Sequence, residues 1–309
     1  ALALANSGFE QLNHNKEAQG ELREWKSGLF LRWSNSKIEK GEFAEAAGIL
    51  DQGIRDNPDE KRFTNNLGYI TQEWSKAVYT SNGAQEAEKV LSMLIDKYPD
   101  VPGVRDAAIR YVHLLVERLK ASADFGEKTF STIERCNVLV KDQKKIRNLK
   151  RMVYDTMAGK LIDKEDWQGA VDVYSNALKA YPGDSHLQNN AVTTWGRWAQ
   201  TYIKDSKWDT AMDVYAKALI LKLDNKLFKG NIGYVAQEWS KAVKEKEGTE
   251  QAEAVLLRLL ARFPEIPQVK TSAKGYAYGL IDSLKSSKEY EKDALSAVER
   301  CRKLIGDED

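Results

Sequence analysis

Proline is scarce in this chain, six in 309 residues against a background rich in Ala, Glu, Lys, Leu and Arg, so few positions forbid a helix and the sequence reads as all-α. Charge of one sign is lacking too. With 47 basic and 46 acidic residues the formal net charge is +1, which supplies no global field to gather nucleic acid or an anionic membrane. No run approaches the roughly 18 to 20 apolar residues that a membrane span needs. The chain therefore reads as soluble, either cytoplasmic or, because it begins at Ala1 rather than Met, secreted or periplasmic after loss of a signal peptide. Histidine is nearly absent: His14, His113 and His186 stand without a Cys or Asp at metal-ligand spacing. No Gly-rich phosphate loop, nucleophile elbow or zincin helix occurs. No catalytic, cofactor or metal residue is assigned, and paired acids such as Asp163 and Glu165 read as solvated turn residues.

Cysteine is limited to Cys136 and Cys301, which stand 165 positions apart. The same offset separates Asn66-Leu-Gly-Tyr-Ile-Thr-Gln-Glu-Trp-Ser-Lys-Ala-Val78 from Asn231-Ile-Gly-Tyr-Val-Ala-Gln-Glu-Trp-Ser-Lys-Ala-Val243, and ten of those 13 positions are identical. The chain is thus internally duplicated. Equivalent places in two copies lie far apart, so the two thiols read as small helix-packing residues rather than a disulfide.

A shorter period runs inside the long one. From Glu21 the apolar residues Leu22, Trp25, Leu29, Trp33 and Ile38 fall at helical spacing until Lys40-Gly41-Glu42 breaks the run. Phe43, Ala46, Ala47, Leu50 and Ile54 mark a second helix, closed by Asn57-Pro58. The opening residue of that second helix recurs as Phe43, Ala84, Phe125, Trp167, Trp208, Thr249 and Tyr290, at steps of 41 or 42 residues. Seven helical hairpins are expected, and four steps make up the 165-residue offset, so the ancestor reads as a four-hairpin block that was duplicated. Tails such as Tyr98-Pro99, Tyr181-Pro182-Gly183 and Phe263-Pro264 end the units.

Residues 166–178 and 207–219 share Trp, Ala, Val-Tyr and Ala-Leu in place, which sets one helix face with alanine where a neighbour must come close. In this the chain resembles the tetratricopeptide repeat family over about residues 21–305. Trp195, Trp198, Ala199, Tyr202, Trp208, Ala211, Tyr215 and Ala218 match the family pattern in one unit, and Tyr154, Ala158, Trp167, Ala170, Tyr174, Ala177 and Pro182 match it in the unit before. The resemblance implies a right-handed superhelical solenoid of antiparallel helical hairpins, flanked by an N-terminal segment or cap (1–20) and an acidic tail (306–309). The sequence departs from the family in its period, about 41 rather than the usual 34 or so. It departs again at Lys128 and Asp293, which stand where a small residue belongs, so those two hairpins should pack less regularly.

Most of the 8 tryptophans and 13 tyrosines fall at recurring places, Trp33, Trp74, Trp198 and Trp239 in one set, and read as core. The basic run Lys141, Lys144, Lys145, Arg147, Lys150 and Arg151 lies beside the apolar Ile146, Leu149, Val153 and Met157; it reads as a solvated face and is a weak exception to the absence of a nucleic-acid site. By the family's geometry the first helices line the concave surface, where the ligand-facing places carry Asn35, Gln72, Lys76, Tyr79, Arg110, His113, Glu117, Gln200, Gln237, Lys241 and Lys244. The expected function is a non-enzymatic scaffold without cofactors, holding protein or peptide segments in that groove. Two alternatives are end-to-end self-assembly into filaments or tubes, and the repeat region of a larger protein.

Overall fold

Every second helix begins at the residue that carries the short period. In the computed structural model the helices are α1 (Lys16–Glu39), α2 (Phe43–Asp56), α3 (Lys61–Asn82), α4 (Ala84–Lys97), α5 (Pro102–Leu119), α6 (Phe125–Val140), α7 (Gln143–Ile162), α8 (Trp167–Ala180), α9 (Ser185–Lys204), α10 (Trp208–Ile220), α11 (Asn225–Glu247), α12 (Thr249–Arg262), α13 (Pro267–Leu284) and α14 (Tyr290–Ile305). Residues 7, 8 and 11 are helical as well; the described residues are 7, 8, 11, 14–122, 124–221, 223, 225–284 and 290–305, without the side chains of 225 and 290–293. The acidic tail 306–309, half of the segment 1–20 and the side chain of Asp293 lie outside that set. No helix among the described residues is long and apolar enough to cross a membrane.

The chain divides into two units, Ala1–Val153 and Tyr154–Asp309, with the boundary inside α7. In each, a long first helix pairs with a shorter second helix, and successive hairpins stack first helix on first helix (α3 on α5; α11 on α13) and second on second (α4 on α6; α12 on α14). The turns are made by residues suited to them. Gly83 and Gly248, 165 positions apart, close the long first helices at φ 87° and 105°, a region that costs a side-chain-bearing residue steric strain. Asp184 caps α9 by accepting from the backbone N–H groups of His186 (3.1 Å) and Leu187 (3.2 Å). Asp184→Ala is expected to lower stability by about 1 kcal/mol, which urea unfolding followed by circular dichroism would read.

Alanine at the fourth place of the second helix does what its spacing implies. Ala46, Ala87, Ala170, Ala211 and Ala252 are all fully buried. In α6 that place is Lys128, which is exposed and pairs with Asp124 at 2.9 Å; the neighbouring Thr129 is the fully buried small residue instead, so the helix presents a face shifted by one position.

The first helix departs from the sequence expectation. Its periodic residues Trp25 and Trp33 are 46% and 45% exposed, while α1 buries Lys26, Ser27, Phe30 and Ser34. The contacts explain the choice. Lys26 reaches Asp56 at 2.6 Å, Ser34 donates to the Ala46 carbonyl at 3.2 Å, and Phe30 meets Phe63 edge to face at 6.1 Å. The set Trp33, Trp74, Trp198 and Trp239 is accordingly not uniform: Trp198 and Trp239 are buried, Trp74 is half-buried and Trp33 is not core. Ala77, which the repeated stretch reads as part of the packing surface of its helix, is likewise exposed.

Candidate functional site

The stretch at 66–78 and its copy at 231–243 form the middle of α3 and α11, and a glycine fixes how close the next first helix comes. A Cβ on Gly68 would lie 2.7 Å from the Cα of Gly103 on α5, and one on Gly233 would lie 2.5 Å from the Cβ of Gln268 on α13. The helices therefore approach nearly backbone to backbone at that level. Of the polar residues of the two stretches, Gln237, Ser240 and Lys241 line a cleft beside it.

Among the residues singled out in sequence, the structure collects two groups. Gln237, Lys241 and Lys244 line a cleft of about 470 Å³ between α11 and α13, together with Ser240, Thr271, Ser272, Gly275, Tyr276 and Gly279. Arg110 and His113 line a cleft of about 430 Å³ between α5 and the first half of α7, with Asp106, Ile109, Lys145, Asn148 and Leu149. Gln72, Lys76 and Tyr79 share one face of α3: Gln72 donates to Glu73 at 3.4 Å, Lys76 stands 3.9 Å from Glu73, and Tyr79 meets Tyr111 edge-on at 5.9 Å under Arg118. Glu117 is exposed and paired with Lys120 at 2.6 Å. Asn35 and Gln200 are exposed on α1 and α9 and line neither cleft.

Three members of the basic run meet carboxylates. Lys145 pairs with Asp106 at 2.8 Å, Lys141 stands 4.0 Å from Asp96, and Lys150 pairs with Glu134. Lys141 does not belong to α7 as its sequence context suggests; it caps α6 in the left-handed region at φ 48°. Ile146, Leu149 and Val153 are buried, as the spacing of the run requires.

The cysteines sit in a duplicated cluster. Arg135 reaches Glu88 at 3.0 Å beside Cys136 and Tyr111, and Arg300 stands 3.5 Å from Glu253 beside Cys301 and Tyr276. Both thiols are free and buried. Burial, reinforced by the Glu88 charge, pushes the Cys136 thiol up to about 12, and burial with the Glu253 charge raises the Tyr276 phenol to about 12. Groups so raised stay protonated at neutral pH, which makes Cys136 a packing residue rather than a nucleophile. Glu253 is also raised, chiefly by burial and against the pull of Arg300.

One grouping was hidden by sequence distance. His186 does not stand alone: its Nε2 lies 2.6 Å from Asp155, which also accepts from Asn190 at 2.8 Å and from the Tyr174 hydroxyl at 3.2 Å. This ties α7, α8 and α9 together. Among the described residues the partners of the His186 ring are Asp155 and Asn190, and no three His, Cys, Asp or Glu converge as metal ligands.

No family model matches the chain, and comparison with curated proteins finds no match. Solved structures similar to it include Naa15/Naa10 bound to HypK-THB (14% identity, 89% of this chain and 39% of that chain, TM-score 0.24). Yeast Tom70 (12%, 85% and 58%, 0.21) and the TPR domain of P58(IPK) (12%, 90% and 88%, 0.19) are similar in the same degree. The chain thus spans only 39% and 58% of the length of the first two. At such identities and TM-scores the likenesses carry no argument about the site, which rests on its own geometry.

Proposed function

We propose that the chain is a non-enzymatic scaffold whose residues 21–305 hold protein or peptide segments against the faces of the first helices. The observation that carries this reading is the pair of clefts between successive first helices, whose lining includes Arg110, His113, Gln237, Lys241 and Lys244. In a stacked repeat the core is used up between neighbours, so side chains that packing leaves over are the ones available to a guest. The resemblance to tetratricopeptide repeats agrees with a guest on this face. Affinity capture from a native extract with the variant Q72A/K76A/Q237A/K241A is the test: partner recovery is expected to fall about five-fold or more, as loss of several contacts of about 0.5–1 kcal/mol each implies. Recovery equal to that of the parent chain would remove the groove assignment.

End-to-end self-association is a second reading, supported by one comparison within the chain. Leu295 and Val298 on α14 are 72% and 53% exposed, whereas the residues 165 positions earlier on α6 are a half-buried Phe130 and a fully buried Ile133. An apolar face covered in one copy is thus exposed among the described residues of the other. Sedimentation across a concentration series decides it, since a monomer at every concentration is incompatible with that association.

A further inference from the structure

The α11/α13 cleft differs from its duplicate in a way that packing does not explain. On the long-helix side the copies agree, Gln72, Ser75 and Lys76 becoming Gln237, Ser240 and Lys241, while Tyr79 becomes Lys244. On the facing helix Asp106, Ala107, Arg110, Tyr111 and Leu114 become Thr271, Ser272, Gly275, Tyr276 and Gly279. The second copy has therefore lost the carboxylate, the guanidinium and the leucine, and gained a lysine. The tyrosine is kept in the same role, with Tyr111 donating to the Ala84 carbonyl at 3.2 Å and Tyr276 to that of Thr249 at 3.3 Å.

Gly275 and Gly279 are not close-approach glycines. Nothing lies within 4 Å of where a Cβ would stand on either, in contrast to Gly233 on the opposite helix. Glycine weakens a helix interior relative to alanine, so two glycines one turn apart and facing a cleft leave open a space that a Cβ would enter at no steric cost. Their effect is to make room.

The charged side chains that line that room are both lysines, although the Glu253 carboxylate on α12 acts on Lys244 and Tyr276 from outside the lining. Among the described residues neither Lys241 nor Lys244 forms an ion pair, although Lys76 stands 3.9 Å from Glu73 in the first copy. The Lys244 ammonium lies 5.5 Å over the Tyr276 ring, which holds it at the cleft wall. The next carboxylate along α13, Asp282, does not line the cleft. Ser240, Thr271 and Ser272 spend their hydroxyl protons on the backbone carbonyls of Gln237, Pro267, Gly233 and Gln268, so the free donors are the two ammonium groups and the Gln237 amide. Gln237 to Lys244 covers two turns, about 10 Å at 1.5 Å per residue, the length of roughly three extended residues.

We propose that this cleft binds the side-chain carboxylates of an acidic peptide segment, whose main chain lies over Gly275 and Gly279, and that the first copy is closed to the same guest. The inference rests on the groove reading above and names the chemistry of its guest. The test is fluorescence anisotropy with a labelled octa-glutamate peptide, C-terminally amidated, titrated with the full chain at about 20 mM and about 150 mM salt. K241A/K244A is expected to weaken binding about ten-fold or more at low salt. G275R/G279L, which restores the first-copy residues, should do the same while its melting temperature stays equal or rises. K76A should change affinity less than about two-fold, and an octa-lysine peptide should not bind. Equal affinity of the parent and both double variants overturns the proposal, as does absence of binding or binding only to a peptide with a free C-terminal carboxylate. If the peptide fails to bind while Q72A/K76A/Q237A/K241A still loses its partner, the groove reading stands and the acidic guest alone is rejected.

Discussion

Gly68→Ala is expected to destabilise the Ala1–Val153 unit by about 2–3 kcal/mol, although alanine is the better helix former. The new methyl would stand 2.7 Å from the Cα, 2.8 Å from the carbonyl carbon and 3.0 Å from the oxygen of Gly103, all backbone atoms. No rotamer change can make room. Either α3 and α5 separate, loosening the fully buried Leu67, Ile70, Val104 and Ala107, or the crossing distorts. The gain from alanine in a helix, about 1 kcal/mol, only partly offsets this. In a unit of this size the loss corresponds to a melting temperature lower by roughly 5–10 °C. Gly275→Ala supplies the opposite sign for the same chemical change, since its Cβ would meet nothing within 4 Å; a stabilisation of up to about 1 kcal/mol is expected. Thermal melts of both variants decide the matter, and a Gly68→Ala chain melting at or above the parent would show that the crossing is not as tight as described.

Phe63→Ala should cost more, about 3–5 kcal/mol. Phe63 is fully buried, with its ring edge-on to Phe30 at 6.1 Å and packed over Gly53, whose missing Cβ would otherwise stand 2.8 Å from the ring. The ring fills a socket that no neighbour can occupy when it is removed, so a cavity remains and adds to the transfer loss. Phe228, 165 positions on, is also fully buried and stands against Tyr215 at 6.0 Å. Its alanine variant is expected to lose a similar amount. Denaturant unfolding of the two variants measures this, and a loss below about 1 kcal/mol in both would contradict the socket.

Much of the fold was legible because the duplication exposes it. The seven second-helix openings could be placed to the residue, since each follows a turn and five of them lead a face with alanine at a fixed step. Other features lay beyond a one-dimensional reading for definable reasons. Periodicity reports which residues share a face of α1, but not how fully a neighbouring helix covers it, so Trp25 and Trp33 read as core although each is nearly half exposed. Phe63 and Phe228 fall just outside the repeated stretch and were passed over in favour of the tryptophans. His186 and Asp155 are 31 residues apart, a separation no motif spacing covers. Of the cleft, Gln237, Lys241 and Lys244 were legible as polar positions on a first helix, whereas Gly275 and Gly279 were not, because a glycine in sequence does not announce whether it admits a neighbour or leaves a space.

The crossing at Gly68 and Gly233 also bears on how such a chain can change its length. The glycine is needed on the long-helix side of the joint, while the other side carries Gly103 in one copy and Gln268 in the other. That glycine lies within the stretch where the copies agree at ten of 13 positions, which is where two misaligned copies of the coding sequence would pair most readily. An unequal exchange there removes or adds 165 residues, four whole hairpins. The hybrid helix keeps a glycine at its centre whichever parent supplies it, and it inherits the facing helix that already fitted one of them. The joint that holds neighbouring repeats together is therefore also the seam along which repeats can be gained or lost without misfit.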